Sequence, residues 1–71
     1  MVGEDLTERE CDVLYYLTKG LTNKQIGKIM NLSPHTIKAH VSSILSKMNC
    51  PNRTRAASMA QSANIAILHQ G

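Results

Sequence analysis

Three helix-start signals in the first half of the sequence restrict this chain to short helices. Thr7 and Glu10 are three positions apart, as are Thr22 and Gln25. This is the spacing of a capping box, in which the hydroxyl and the longer side chain each bind the other's backbone N–H. Ser33-Pro34 is the third signal, an N-cap followed by a proline at the first helical position, where its missing N–H costs nothing.

Stop signals and apolar spacing complete a four-helix pattern. Gly20, Asn49 and Pro51 favour helix ends, and 31–33 breaks the short second helix. We therefore predict helices at 7–19, from 22 to about 30, at 34–48 and at 53–68. The positions predicted to face the core are Val13, Leu14, Leu17, Ile26, Ile29, Met30, Ile37, Val41, Ile44, Leu45, Met48, Ala56, Ala60, Ala63 and Ile67.

The fold class expected from this pattern is all-α, a four-helix bundle without strands. With 71 residues the chain has room for one domain only, which we place at 6–69 after a flexible start at 1–5. The short helix, three-residue turn and longer helix within 22–48 have the dimensions of a helix-turn-helix. Gly27 costs a helix about 1 kcal/mol relative to Ala, so we expect it to make room for the second and third helices to cross closely.

Charge is divided unevenly along the sequence. All five acidic residues lie in the first twelve positions with a single Arg9, a net charge of −4. The other 59 residues contain seven Lys and Arg and no acidic residue, a net charge of +7. An uncompensated positive surface attracts polyanions, so the distribution favours a nucleic-acid partner.

The predicted third helix has an outward face without acidic residues. Two strips run along it: a central one of His35, Lys38, Ala39, Ser42 and Ser46, and a flanking one of Thr36, His40, Ser43 and Lys47. Small and hydrogen-bonding side chains at the centre allow a helix to enter the major groove, which is about 12 Å wide. Cations and hydroxyls on the flank suit phosphates, so the pattern favours a nucleic-acid-reading helix.

Several of these residues together resemble a known family. The matching segments are Leu6-Thr7-x-Arg9-Glu10-x-x-Val13-Leu14, Gly20, Asn23-Lys24-x-Ile26, Ser33-x-x-Thr36-Ile37-Lys38-x-His40, Ile44-x-x-Lys47-Met48 and Asn52-Arg53-Thr54. In order and spacing they are similar to the LuxR/GerE-type helix-turn-helix domain. The resemblance implies the DNA-binding effector domain of a bacterial transcription regulator. Such domains usually follow a receiver or small-molecule-sensing domain, which would be a covalently linked N-terminal partner absent from this chain.

The resemblance also implies roles for individual residues. Base contacts fall to Lys38, Ala39 and Ser42, and phosphate contacts to Lys24, Thr36, His40, Ser43 and Lys47. The fourth helix, 53–68, is implied to form a homodimer on DNA. Its outward side, as we place it, carries Ser58, Gln61, Ser62 and Ile65, and we expect Ser58, Ser62 and Ile65 to form the dimer interface. Three positions depart from the family: Gly27 is more often Ala, Asn49 more often Gly, and Ser42 frequently a longer side chain.

The chemistry of an enzyme or a metal site is missing from the sequence. His35 and His40 are five positions apart and point about 140° apart on a helix, so they cannot share a metal. No Gly-rich phosphate loop or Ser/His/Asp set is present. We expect no catalytic residue, no metal and no cofactor. Cys11 and Cys50 are expected to be reduced, packed thiols.

Two alternatives have the same helical pattern. The promoter-reading region of a sigma factor begins similarly but favours an Arg-rich third helix, unlike 36–40 here. A protein-interaction module such as an anti-activator could keep the fold without binding DNA, although Lys24, Lys38 and Lys47 argue against it. No apolar run reaches the roughly 20 residues of a membrane span, and we expect a cytoplasmic, nucleoid-associated bacterial protein bound to double-stranded DNA.

Overall fold

The computed structural model describes residues 6–62, which form four α-helices and no strand. The helices are α1 (Glu8–Thr18), α2 (Asn23–Met30), α3 (Pro34–Met48) and α4 (Arg53–Ser62). α1 packs against α3 and α4, and α3 also contacts α2 and α4. The predicted all-α architecture is confirmed. Some predictions lie outside the described residues: a flexible start at 1–5, core positions at Ala63 and Ile67, an interface position at Ile65, and the end of the last helix at 68.

The start of each of the first three helices follows the predicted capping chemistry. The N–H of Glu10 donates to Thr7 Oγ1 over 3.1 Å, and the Thr7 N–H donates to Glu10 Oε1 over 2.9 Å. Thr22 and Gln25 make the same reciprocal pair at 2.8 and 3.1 Å. At α3, Ser33 Oγ accepts the Thr36 N–H over 3.1 Å. Each cap satisfies backbone donors that a helix start leaves unpaired.

Residues with a left-handed backbone conformation stand at the ends of the same three helices. Gly20, with φ of +75°, follows the end of α1, and Asn49, with φ of 56°, ends α3, as the sequence predicts. Asn31 ends α2 with φ of 60°. Asparagine tolerates this conformation better than other residues with a Cβ, so both asparagines allow the chain to turn sharply.

The core lies where α1, α3 and α4 meet, closed on one side by α2. Among residues 6–62, ten apolar side chains are buried: Val13, Leu14, Leu17, Ile26, Ile37, Val41, Ile44, Met48, Ala56 and Ala60. All ten were expected in the core, but Ile29 was wrongly placed there, since it is 55% exposed. The buried arc of α2 runs from Ile26 through Met30 to Gly27, which leaves Ile29 beyond its edge.

Gly27 is buried against the turn that follows its own helix. A Cβ at this position would collide with the Leu32 carbonyl and would lie 3.5 Å from the Pro34 nitrogen. The Leu32 N–H also donates to the Gly27 carbonyl over 2.8 Å. The expectation of a close approach is confirmed, but the expected neighbour was wrong: the glycine makes room for the backbone of the turn rather than for the body of α3.

Candidate nucleic-acid interface

α3 presents one continuous polar face to solvent. Its inner side is buried in the core through Ile37, Val41, Ile44 and Met48. The five residues predicted to form the central strip are all exposed: His35, Lys38, Ala39, Ser42 and Ser46. A helix with short side chains along its exposed centre can approach another surface closely, and Lys38 is the one long side chain that projects from that centre.

The flank of α3 is more buried and already hydrogen-bonded within the domain. Thr36, His40 and Ser43 are half-buried, and Lys47 is exposed. The hydroxyls of Ser33 and Thr36 lie 3.0 Å apart and share one hydrogen bond. Because that bond uses only one of the two O–H groups, the pair keeps a donor for an outside acceptor.

Glu10 reaches this flank from α1. Its Oε1 accepts a hydrogen bond from Lys47 Nζ at 2.7 Å, and its Oε2 accepts one from Ser43 Oγ at 2.5 Å. The Glu10 side chain is only 6% exposed, against 32% for Lys47. The sequence predicts only the capping role of Glu10, and this contact between α1 and α3 was not predicted.

The environment of Glu10 keeps its carboxylate ionised. Burial acts to raise the pKa of Glu10, but hydrogen bonds from Lys47, Ser43 and the Thr7 backbone outweigh it and lower the pKa from 4.5 to about 2. The buried charge is thus compensated by the Lys47 ammonium. Lys47 is consequently not the uncompensated cation that the charge distribution of the sequence indicates.

Arg53 joins the start of α4 to the start of α2. Its Nη1 donates to Asn23 Oδ1 over 2.6 Å, and its Nη2 donates to the Leu21 carbonyl over 2.9 Å. The exposed Lys24 follows Asn23, so this contact fixes the segment that carries a predicted phosphate-binding cation. This role of Arg53 is not evident from the local sequence pattern, although Asn23 and Arg53 both belong to the segments that carry the family resemblance.

The outward side of α4 carries small polar residues together with the exposed Arg55. Ser58 and Ser62 are exposed, while Ala56 and Ala60 face the core. Gln61 was expected on the same outward side, but its Nε2 donates to the Thr18 carbonyl over 3.1 Å. Its side chain therefore reaches back to α1, because α4 packs alongside that helix.

Residues 6–62 contain no cluster of side chains suited to hold a metal ion. No three His, Cys, Asp or Glu side chains of this segment lie close enough together to hold a metal ion. Cys11 and Cys50 are free, and burial, with Asp12, Glu10 and Glu8 nearby, raises the pKa of the Cys11 thiol. No helix in the same segment has the length and apolarity needed to cross a membrane.

Comparison with known proteins identifies close relatives of this helical unit. The chain is 49% identical over 51 residues to the nitrate/nitrite response regulator protein NarP of Escherichia coli, covering 72% of this chain and 24% of that protein. It is 51% identical over 51 residues to the transcriptional regulatory protein DegU of Brevibacillus brevis, with 72% and 22% covered. The transcriptional regulatory protein LiaR of Bacillus subtilis is 43% identical over 54 residues, with 76% and 26% covered.

The relatives and a family match agree on the kind of protein. The chain spans about a quarter of the length of each of these relatives. They are named as regulators, which confirms the expectation that this domain is not an enzyme. Residues 4–60 match the family described as bacterial regulatory proteins, luxR family. The chain therefore belongs to the luxR family of bacterial regulatory proteins, as a DNA-binding helix-turn-helix domain.

Proposed function

We propose that this domain binds double-stranded DNA sequence-specifically, with α3 in the major groove. The observation that carries the proposal is the exposed face of α3, where Lys38, Ala39 and Ser42 project from a helix that contains no acidic residue. Two small residues beside one flexible cation allow the helix to lie close to base edges. The Lys38 ammonium can then donate to the O6 and N7 acceptors of guanine.

The phosphate contacts are proposed for both sides of this face. Lys24 is exposed near the start of α2, and Thr36, His40 and Lys47 lie on the flank of α3. Two cations of this set, Lys24 and Lys47, can neutralise phosphate charges. Contacts of this kind position a protein on the duplex without reading its sequence.

Two further proposals concern assembly. The small polar side of α4 supports a homodimer that forms on DNA, with two copies on half-sites about one helical turn apart. Because the relatives are about four times as long as the matched segment, we propose that 6–69 is the effector domain of a longer regulator with a linked regulatory domain.

The salt dependence of duplex binding tests the function. With two phosphates neutralised per domain, by Lys24 and Lys47, the logarithm of affinity is expected to fall with the logarithm of salt concentration with a slope of about −2. A slope near zero would contradict DNA binding and would favour a protein-interaction module with this fold. Selection of bound duplexes from a random pool would then show whether one sequence is preferred.

A further inference from the structure

We propose that Glu10 is a positioning residue of the DNA-binding surface: it holds the Lys47 ammonium on the flank of α3, and Ser43 supports it there. Of these two flank residues, Lys47 contacts a backbone phosphate and Ser43 does not. The inference rests on the proposed DNA binding and deepens it. It assigns roles to three residues that lie on two different helices.

Lys47 and Ser43 differ in how many hydrogen-bond donors they have left after binding Glu10. A serine hydroxyl has one O–H, and that of Ser43 is donated to Glu10 Oε2. Phosphate oxygens at neutral pH are mostly acceptors, so Ser43 has no donor left for one while this bond exists. A lysine ammonium has three N–H donors, and Lys47 donates one of them to Glu10 Oε1. Two donors remain, on a side chain that is partly exposed.

The position of the carboxylate explains why it can orient Lys47 without blocking it. Glu10 is nearly inaccessible beneath the flank, whereas Lys47 reaches the surface. The Thr7 N–H donates to the same Oε1, which fixes the carboxylate to the start of α1. A lysine side chain ordered in the free domain loses less conformational freedom when it binds a phosphate, and this preorganisation raises affinity.

Removing the Glu10 charge distinguishes a positioning role from a purely electrostatic one, because the two predict opposite changes in DNA affinity. If Glu10 acted only through its negative charge, Glu10→Gln would make the domain more cationic and would tighten DNA binding. If Glu10 positions Lys47, the same substitution loosens the ammonium and weakens binding. Glu8→Gln is the matched control, since Glu8 is an exposed acidic residue in the same helical turn and changes the net charge equally.

The experiment compares the affinity of the 71-residue chain and these two variants for one duplex at several salt concentrations. We expect Glu8→Gln to bind as tightly as the parent or more tightly. Glu10→Gln is expected to bind about 3- to 10-fold more weakly, and Lys47→Ala is expected to cost less in its background than in the parent. If Glu10→Gln binds as tightly as Glu8→Gln, with Lys47→Ala equally costly in both backgrounds, the positioning role is wrong.

A second variant keeps the proposal testable if Glu10→Gln fails to fold, which circular dichroism will show. Ser43→Ala retains the Glu10–Lys47 ion pair and removes only the hydroxyl. We expect the effects of Ser43→Ala and Lys47→Ala on DNA affinity to be non-additive, because both act through one phosphate contact. Additive effects would indicate that Ser43 contacts DNA independently of Lys47, and its supporting role would then be wrong.

A spectroscopic measurement examines the ordered ammonium directly. In the free parent chain, the Lys47 ammonium is expected to give a slowly exchanging ¹⁵N–¹H signal that Glu10→Gln removes and Glu8→Gln retains. Absence of that signal in the parent would contradict positioning. Failure of the parent to bind duplex at low salt would refute the proposed function itself, whereas normal binding by the parent and both variants would refute only the role of Glu10.

Discussion

Glu10 illustrates, at the scale of the residue, which contacts a sequence reveals. Its bond with Thr7 spans three positions and follows from the capping-box spacing, so it was predicted correctly. Its bonds with Ser43 and Lys47 span 33 and 37 positions and depend on how α1 packs against α3. Capping motifs and apolar spacing involve residues a few positions apart, so they do not predict contacts between residues so far apart in the sequence. The roles predicted for the DNA-contacting residues themselves come from the family resemblance and remain predictions.

The ion pair of Glu10 predicts how stability depends on pH. Since the folded pKa of about 2 lies below the ordinary value of 4.5, Glu10 stabilises the fold above pH 4.5, and this contribution is lost as the pH falls toward 2. At about 1.4 kcal/mol per pKa unit, the contribution is at most about 3.5 kcal/mol. Urea unfolding of the parent and Glu10→Gln measures it. The stability gap between them is expected to narrow from pH 5 to pH 2.5, and a constant gap would contradict it.

Lys38 and Lys47 are expected to differ in what their loss does to recognition. Lys38→Ala should cost about 1–3 kcal/mol on the preferred site, because the ammonium donates to guanine acceptors, and less on random duplex. Lys47→Ala should weaken binding to both duplexes by a similar factor, as the loss of a phosphate contact does. Competition binding with a selected and a random duplex measures both. Equal losses for Lys38→Ala on the two duplexes would remove Lys38 from base reading.

At the scale of the helices, starts were easier to predict than faces. Helix caps depend on residues three or four positions apart, so the starts of α1, α2 and α3 follow from the sequence. The exposure of Ile29 does not follow from the sequence, because the buried side of α2 includes Gly27. Glycine has no apolar side chain, so Gly27 does not register in the apolar spacing of α2. Its burial against the turn rotates the core-facing side of the helix away from Ile29, and the apolar spacing does not predict this.

The left-handed end of α2 yields a prediction for the helix-turn-helix. Asn31, with φ of 60° and ψ of 44°, stands where residues with a Cβ are strained. Asn31→Ala is expected to destabilise the domain by about 1 kcal/mol, since alanine lacks the local hydrogen bonding that helps asparagine adopt this conformation. Asn31→Gly is the control and is expected to retain most of the stability. Thermal unfolding compares them; an alanine variant as stable as the glycine variant would contradict the argument.

At the scale of the whole molecule, the exposed side of α4 is the surface we propose for the association of two copies. Its inner side is used in the core by Ala56 and Ala60, and no charged residue follows Arg55 to oppose self-association. Ser58 and Ser62 are one helical turn apart on the exposed side, where short side chains let two backbones approach. A surface this small is expected to form an interface below about 1,200 Å² in total, which is typically weak without further association energy.

We therefore expect the 71-residue chain to sediment as a monomer and to form a 2:1 complex on a palindromic duplex, where two half-sites raise the effective concentration of one copy near the other. Ser62→Glu places a charge in the contact and is expected to weaken the 2:1 complex while sparing binding to a single half-site. Ser62→Ala controls for loss of the hydroxyl and should behave as the parent. If Ser62→Glu binds the palindrome as tightly as the parent does, the exposed side of α4 is not the dimer contact.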